Sequence, residues 1–171
     1  MEHQFCTFHL AGFFYGVEVE QVQEIIRQQE ITPVPLAPEV VAGLINLRGQ
    51  IVTAFDLRSR LGLPARGVDE RPTNVVVRHD GEAVSLLVDE IGDVVEVSDD
   101  LFEAPPDTLH GEARALTRGV YKLPGKLMHA LDLDTALLQK TSGRARGSEF
   151  VQQTIQRCGA GALAQTRGSH Q

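Results

Sequence analysis

Few residues in this chain stand at spacings that could do chemistry. The six histidines, His3, His9, His79, His110, His129 and His170, include no HxxxH or HExxH pair. Neither Cys6 nor Cys158 belongs to a two-cysteine or two-histidine zinc-ligand motif. Asp132 and Asp134 could act as paired carboxylates, but each has a simpler use. Asp132 precedes Leu-X-X-X-Leu as a helix N-cap does, and Asp134 falls in the first helical turn, where acids are favoured. No GxSxG, Walker A or GxGxxG pattern occurs. The residues therefore offer no catalytic constellation, metal set or cofactor cradle. What remains is recognition, and Arg48 is its leading candidate. A planar guanidinium bonds a carboxylate through two N–H groups and stacks on apolar surface, which is why arginine recurs at interface hot spots.

The elements that must position Arg48 are legible through an internal repeat. Residues 43–61, GLINLRGQIVTAFDLRSRL, return in altered form as residues 119–137, GVYKLPGKLMHALDLDTAL, at an offset of 76. Gly43/Gly119, Leu47/Leu123, Gly49/Gly125, Ala54/Ala130, Asp56/Asp132, Leu57/Leu133 and Leu61/Leu137 coincide. Each copy reads as a strand, a two-residue turn, a second strand and a short helix capped by the aspartate. Shared residues are expected to be scaffold. Arg48 and Asn46 are replaced by Pro124 and Lys122 in the second copy, which marks them as candidates for function. Proline followed by glycine is the type II turn pattern, and the matching glycines predict that geometry for both turns.

The repeat extends upstream. Residues 5–10 and 13–19 read as a hairpin turning at Gly12, and residues 75–77 and 83–88 echo it around Gly81 at an offset of 69. Residues 20–26 suit a short helical turn or a twisted strand. Pro33, Pro35 and Pro38 make residues 32–38 an extended connector, and residues 39–42 could add one helical turn. The polar stretch 62–71 reads as a linker between halves, and the seven extra residues of the second half fall in a loop or short helix within 98–118. Short strands with turn signals every eight to twelve residues point to an all-β fold, one small unit per half, of barrel or sandwich type.

Composition excludes some functions. Residues 1–139 carry 11 basic and 22 acidic side chains, a net of −11, which argues against a nucleic-acid-binding body. Residues 140–171 carry five basic residues and one acid, a net of +4, and together these make the −7 of the chain. This tail is expected to be solvated and flexible, with one weak helix at 148–158. No apolar run is long enough to span a membrane, and the first residues, MEHQFCTFHL, lack the basic and apolar regions of a signal peptide. A cytoplasmic protein without membrane insertion is expected.

Residues 4–139 also resemble a known family. VEQVQEII, TPVPLAP and VAGLINLRGQIVTAFDLRSRLGLP, with VSLLVDEIGDVVEV and LTRGVYKLPGKLMHALDLDTAL, are similar to the CheW coupling-protein domain of bacterial chemotaxis. The run NLRG, followed by DLR and RLG, is its most specific part. Thr53 departs from the proline the family often carries there, and the tail after Lys140 lies outside the resemblance. The resemblance implies an all-β fold of two tandem SH3-like five-stranded β-barrels around a shared apolar core. It implies a non-enzymatic adaptor joining the signalling tip of a chemoreceptor (methyl-accepting chemotaxis protein) to the regulatory domain of the chemotaxis histidine kinase. A related scaffold in an array serving surface motility or gene regulation is the alternative. Carried over by motif, the receptor-facing residues are Val22, Glu24, Gly43, Asn46 and Arg48. Gly43 has a second reading as a scaffold glycine, because Gly119 shares its position.

Overall fold

Strand pairing runs between the halves of the chain. The computed structural model describes residues 2–137 apart from 28 and 68, so the helix expected at 148–158 lies outside the described residues. One sheet has the order β8-β1-β2-β11-β10-β9. Its strands are β1 (Glu2–Leu10), β2 (Phe13–Glu18), β8 (Glu90–Ser98), β9 (Phe102–Glu103), β10 (Thr117–Leu123) and β11 (Lys126–Leu131). The other has the order β3-β6-β7-β5-β4. It comprises β3 (Val22–Ile26), β4 (Val41–Leu47), β5 (Gln50–Asp56), β6 (Thr73–His79) and β7 (Glu82–Val88). Three short helices, α1 (Leu57–Arg60), α2 (Gly111–Ala115) and α3 (Leu133–Leu137), complete the set, with 3-10 turns at Val19–Gln21 and Asp99–Leu101. Residues 39–42, offered as a helical turn, instead form a tight turn, with Val41 N–H donating to Pro38 O at 2.9 Å, and enter β4.

These sheets are two SH3-like barrels, but they are not the two sequence halves. The hairpin β1–β2 completes the sheet otherwise built from the second half, and the hairpin β6–β7 completes the sheet built from the first. The joins are parallel, β2 to β11 at Tyr15↔His129 and β5 to β7 at Thr53↔Val84. The exchange is reciprocal, and the repeat offsets map one sheet order onto the other. Even the flanking bridge Thr32↔Leu44 has its counterpart in Glu103↔Val120 of β9 and β10. A hairpin satisfies only its own inner backbone groups, so its outer edges must pair elsewhere.

Each barrel holds its own apolar cluster. Phe5, Phe14, Val97, Tyr121, Met128 and Ala130 fill the first, and Ile45, Leu47, Val52, Ala54, Val76 and Leu87 the second. A larger cluster draws on both sheets, including Phe8, Tyr15, Val17, Phe55, Leu57, Val75, Leu86, Leu116, Leu131 and Leu137. This is the shared core the resemblance implies. Residues 52–55 and 84–88 are buried without alternation, so both faces of β5 and β7 are covered.

The stretch 62–71 is no free linker. Arg66 buries its side chain, donating to Asp56 at 2.8 Å, to Asp89 at 3.0 Å and to the Leu87 carbonyl at 3.0 Å. Asp89 sits where the chain crosses from β7 in one sheet to β8 in the other. Its carboxylate also accepts both Nε and Nη2 of Arg58 and the backbone N–H of Ala11 in the β1–β2 turn. Asp56 caps α1 by accepting from Arg58 N–H at 3.1 Å, as expected, and additionally holds Arg66. The DLR motif is therefore a clamp between the sheets. Part of the polarity that suggested a linker, Arg66 and Glu70, is committed to ion pairs.

Candidate partner-binding site

The two-residue turn between β4 and β5 has left-handed backbone at both positions, with φ 53° at Arg48 and 85° at Gly49. That is type I′, whose twist matches the flanking strands. Type II was expected for both repeat copies and holds only for the second. Pro124 is confined to φ near −65° by its ring, whereas Gly125 has φ 76°. The expectation for Arg48 was borrowed from a proline that Arg48 does not share.

Arg48 projects from this tip with 80% of its side chain exposed. Its Nη2 donates to Oε1 of Glu24 at 3.2 Å, the one polar partner of the guanidinium among the described residues. Glu24 lies on β3, at the opposite margin of the five-stranded sheet from β4, so the pair spans the opening where the curled sheet closes. An exposed pair of this kind contributes little to stability. The guanidinium can exchange it for a partner's carboxylate at small cost. Asn46, exposed two residues before Arg48, turns its Oδ1 back to accept from Gly49 N–H at 2.9 Å. Val22, at the start of β3, is half-buried and packs on the shared core.

Gly43 does not join this surface. It is buried in β4 at a register shift, and a Cβ there would lie 2.3 Å from the Thr32 carbonyl oxygen. The missing side chain makes room for the chain's own connector, not for a partner helix. Gly119 is used the same way, beneath Phe102 and the Glu103 carbonyl. Of the two readings of Gly43, the scaffold one has the geometry. Gly43→Ala should therefore shift the Ile31–Thr32 segment and lower stability by on the order of 1–2 kcal/mol, read from the urea midpoint. A purely partner-facing glycine would leave that midpoint unmoved.

One exposed apolar residue beside the site escaped the sequence reading. Ile25, between Glu24 and Ile26, is exposed. Its signal was available: adjacent residues in a strand face opposite sides, so Ile25 and Ile26 cannot both point inward. By the same rule it faces away from Glu24, so it flanks the Glu24–Arg48 pair on β3 without sharing its face. An acidic cleft of about 400 Å³ lies elsewhere, lined by Glu2, His3, Gln4, Glu18, Val19, Glu20 and Glu96. It contains none of these residues. Among the described residues no three His, Cys, Asp or Glu side chains are grouped to hold a metal ion, and no helix is long and apolar enough to cross a membrane.

Interwoven SH3-like barrels carrying an exposed arginine turn define a β scaffold built for protein recognition. The chain belongs to the CheW-like domain family, whose model matches residues 4–141. It is 32% identical to the chemotaxis protein CheW of Rhizobium meliloti over 132 residues, 77% of this chain and 85% of that protein. It is 28% identical to CheW of Bacillus subtilis over 139 residues, 81% and 89% of the two chains. The crystal structure of the scaffolding protein TtCheW from Thermoanaerobacter tengcongensis superposes with a TM-score of 0.75 at 27% identity, covering 85% of this chain and 99% of that one. This places the chain among the adaptors of chemotaxis signalling, a family of scaffolds.

Proposed function

We propose that this protein couples chemoreceptor signalling tips to the regulatory domain of a chemotaxis histidine kinase, within receptor arrays on the cytoplasmic side of the membrane. The observation that carries the reading is the Glu24–Arg48 pair on an exposed left-handed turn, which the repeated hairpin at Pro124–Gly125 lacks. A receptor tip is a bundle of helices. Arg48 offers it a carboxylate-seeking fork, and the edge strand β3 offers apolar contact at the exposed Ile25. The kinase contact uses apolar barrel surface elsewhere on the same rigid body. Binding both partners at once raises their effective concentration for each other, so an adaptor without chemistry of its own can change kinase output.

Co-sedimentation tests this. A receptor signalling fragment, the kinase and this protein should pellet together, and kinase activity in the mixture should depend on the adaptor. Kinase activity indifferent to the protein would remove the coupling reading for that array.

A further inference from the structure

We infer that Asn46 is a positioning residue for Arg48: its side chain holds the turn in the left-handed form that presents the guanidinium, and it is not itself a partner contact. The inference rests on the reading of Arg48 as the receptor contact. A residue with a Cβ at φ 53° is in a sparsely populated region, less favourable than the right-handed alternatives. Something must hold it there. Asn46 Oδ1 accepts from Gly49 N–H, a turn donor that the strand ladder does not use, since the closing pair of the hairpin is Leu47↔Gln50.

The molecule contains its own controls. The repeated hairpin closes over the same two-residue span, Leu123↔Lys126, as a type II turn in which the ring of Pro124 sets a negative φ, so the span itself can close without a left-handed first residue. There Lys122 takes the place of Asn46. An ammonium cannot accept a hydrogen bond, and Lys122 pairs instead with Glu103 at 2.9 Å. The acceptor and the left-handed residue are thus present together in one copy and lost together in the other. The two other type I′ turns among the described residues are held in different ways. Ala11, at φ 49°, gives its N–H to the Asp89 carboxylate at 2.7 Å. Asp80, at φ 51°, is a residue type that tolerates this region.

The test compares wild type, Asn46→Ala, Asn46→Asp, Arg48→Ala and the double variant Asn46→Ala/Arg48→Ala. Affinity for a receptor signalling-tip fragment is measured beside the three-bond HN–Hα coupling of Arg48 by NMR. Asn46→Ala should shift the Arg48 coupling toward negative φ and weaken binding about fivefold, the scale of one lost hydrogen bond. Asn46→Asp keeps an acceptor at the same reach and should keep the wild-type coupling. The double variant should bind no more weakly than Arg48→Ala. Additive losses, or an unchanged Arg48 coupling in Asn46→Ala, overturn the proposal and make Asn46 a direct contact or a bystander. If Arg48→Ala binds the fragment like wild type, the recognition reading itself fails, and the coupling data separate that failure from a failure of the turn argument.

Discussion

Replacing Asp89 by alanine should lower folding stability by about 3 kcal/mol, the low end of the range for breaking a buried ion pair by removing one partner. That corresponds to a melting temperature lower by roughly 10 °C for a chain of this size. The low end applies because the Asp89 side chain retains 21% exposure, while Arg58 and Arg66 retain 12% and 9%. Alanine would leave both guanidinium groups short of their acceptor and would release Ala11 N–H in the β1–β2 turn. The loss falls at the crossing between the sheets. The effect also has a pH signature. Burial pushes the Asp89 carboxyl upward, but the Arg58 hydrogen bond, the Ala11 N–H and the charges of Arg66 and Arg58 outweigh it and hold the group below its ordinary value. A carboxylate depressed in the folded state contributes stability that is complete above the unfolded value of about 4. That contribution disappears as pH falls through the lower folded value. The stability difference between wild type and Asp89→Ala should accordingly be largest near neutrality and shrink on acidification. A difference that stayed constant down to strongly acid pH would mean that the pairing does not depend on the charge of Asp89.

Arg48→Glu should reduce affinity for a receptor signalling fragment by more than tenfold, about 1.4 kcal/mol, while the melting temperature stays nearly unchanged. Charge reversal removes the fork and sets a second carboxylate against Glu24, so both the attraction and the local field are lost. The fold should not register the change, because Arg48 is exposed and its ion pair is of the weak surface kind. Glutamate also meets the same backbone demand at φ 53° as arginine, so the turn is no more strained than before. Titration of the receptor fragment, paired with a thermal melt, separates the alternatives. A large fall in melting temperature would make Arg48 a structural residue.

Much of the local structure was legible. The four hairpins of the described residues, their glycine-bearing turns and the capping roles of Asp56 and Asp132 follow from apolar runs, the internal repeat and residue preference. In α3, Asp132 accepts from Thr135 N–H and Thr135 Oγ1 much as a cap should. The candidate site was legible in one respect, the divergence of the two repeats at residues 46 and 48. The resemblance named Glu24 as receptor-facing but not as the partner of Arg48, because nothing in the spacing of the two announces a contact. Arg66 was misread because a polar, proline-flanked stretch looks the same whether its side chains point to water or into a buried ion cluster. Gly43 was ambiguous because its demand for space comes from Thr32, on a segment with no regular pattern of its own.

By itself, the sequence determined where strands begin and turn, and that one of two similar hairpins carries an arginine the other has lost. Those features depend on neighbours within a few residues, and apolar runs, turn chemistry and the internal repeat report them directly. Only the tertiary structure decided that the hairpins trade places between the halves, that Asp89 gathers Arg58 and Arg66 at the crossing, and that Glu24 on β3 meets Arg48 across the barrel opening. The reason is physical. A strand's pattern states which face it buries but not which edge it will pair with, and each of these contacts joins residues more than twenty positions apart.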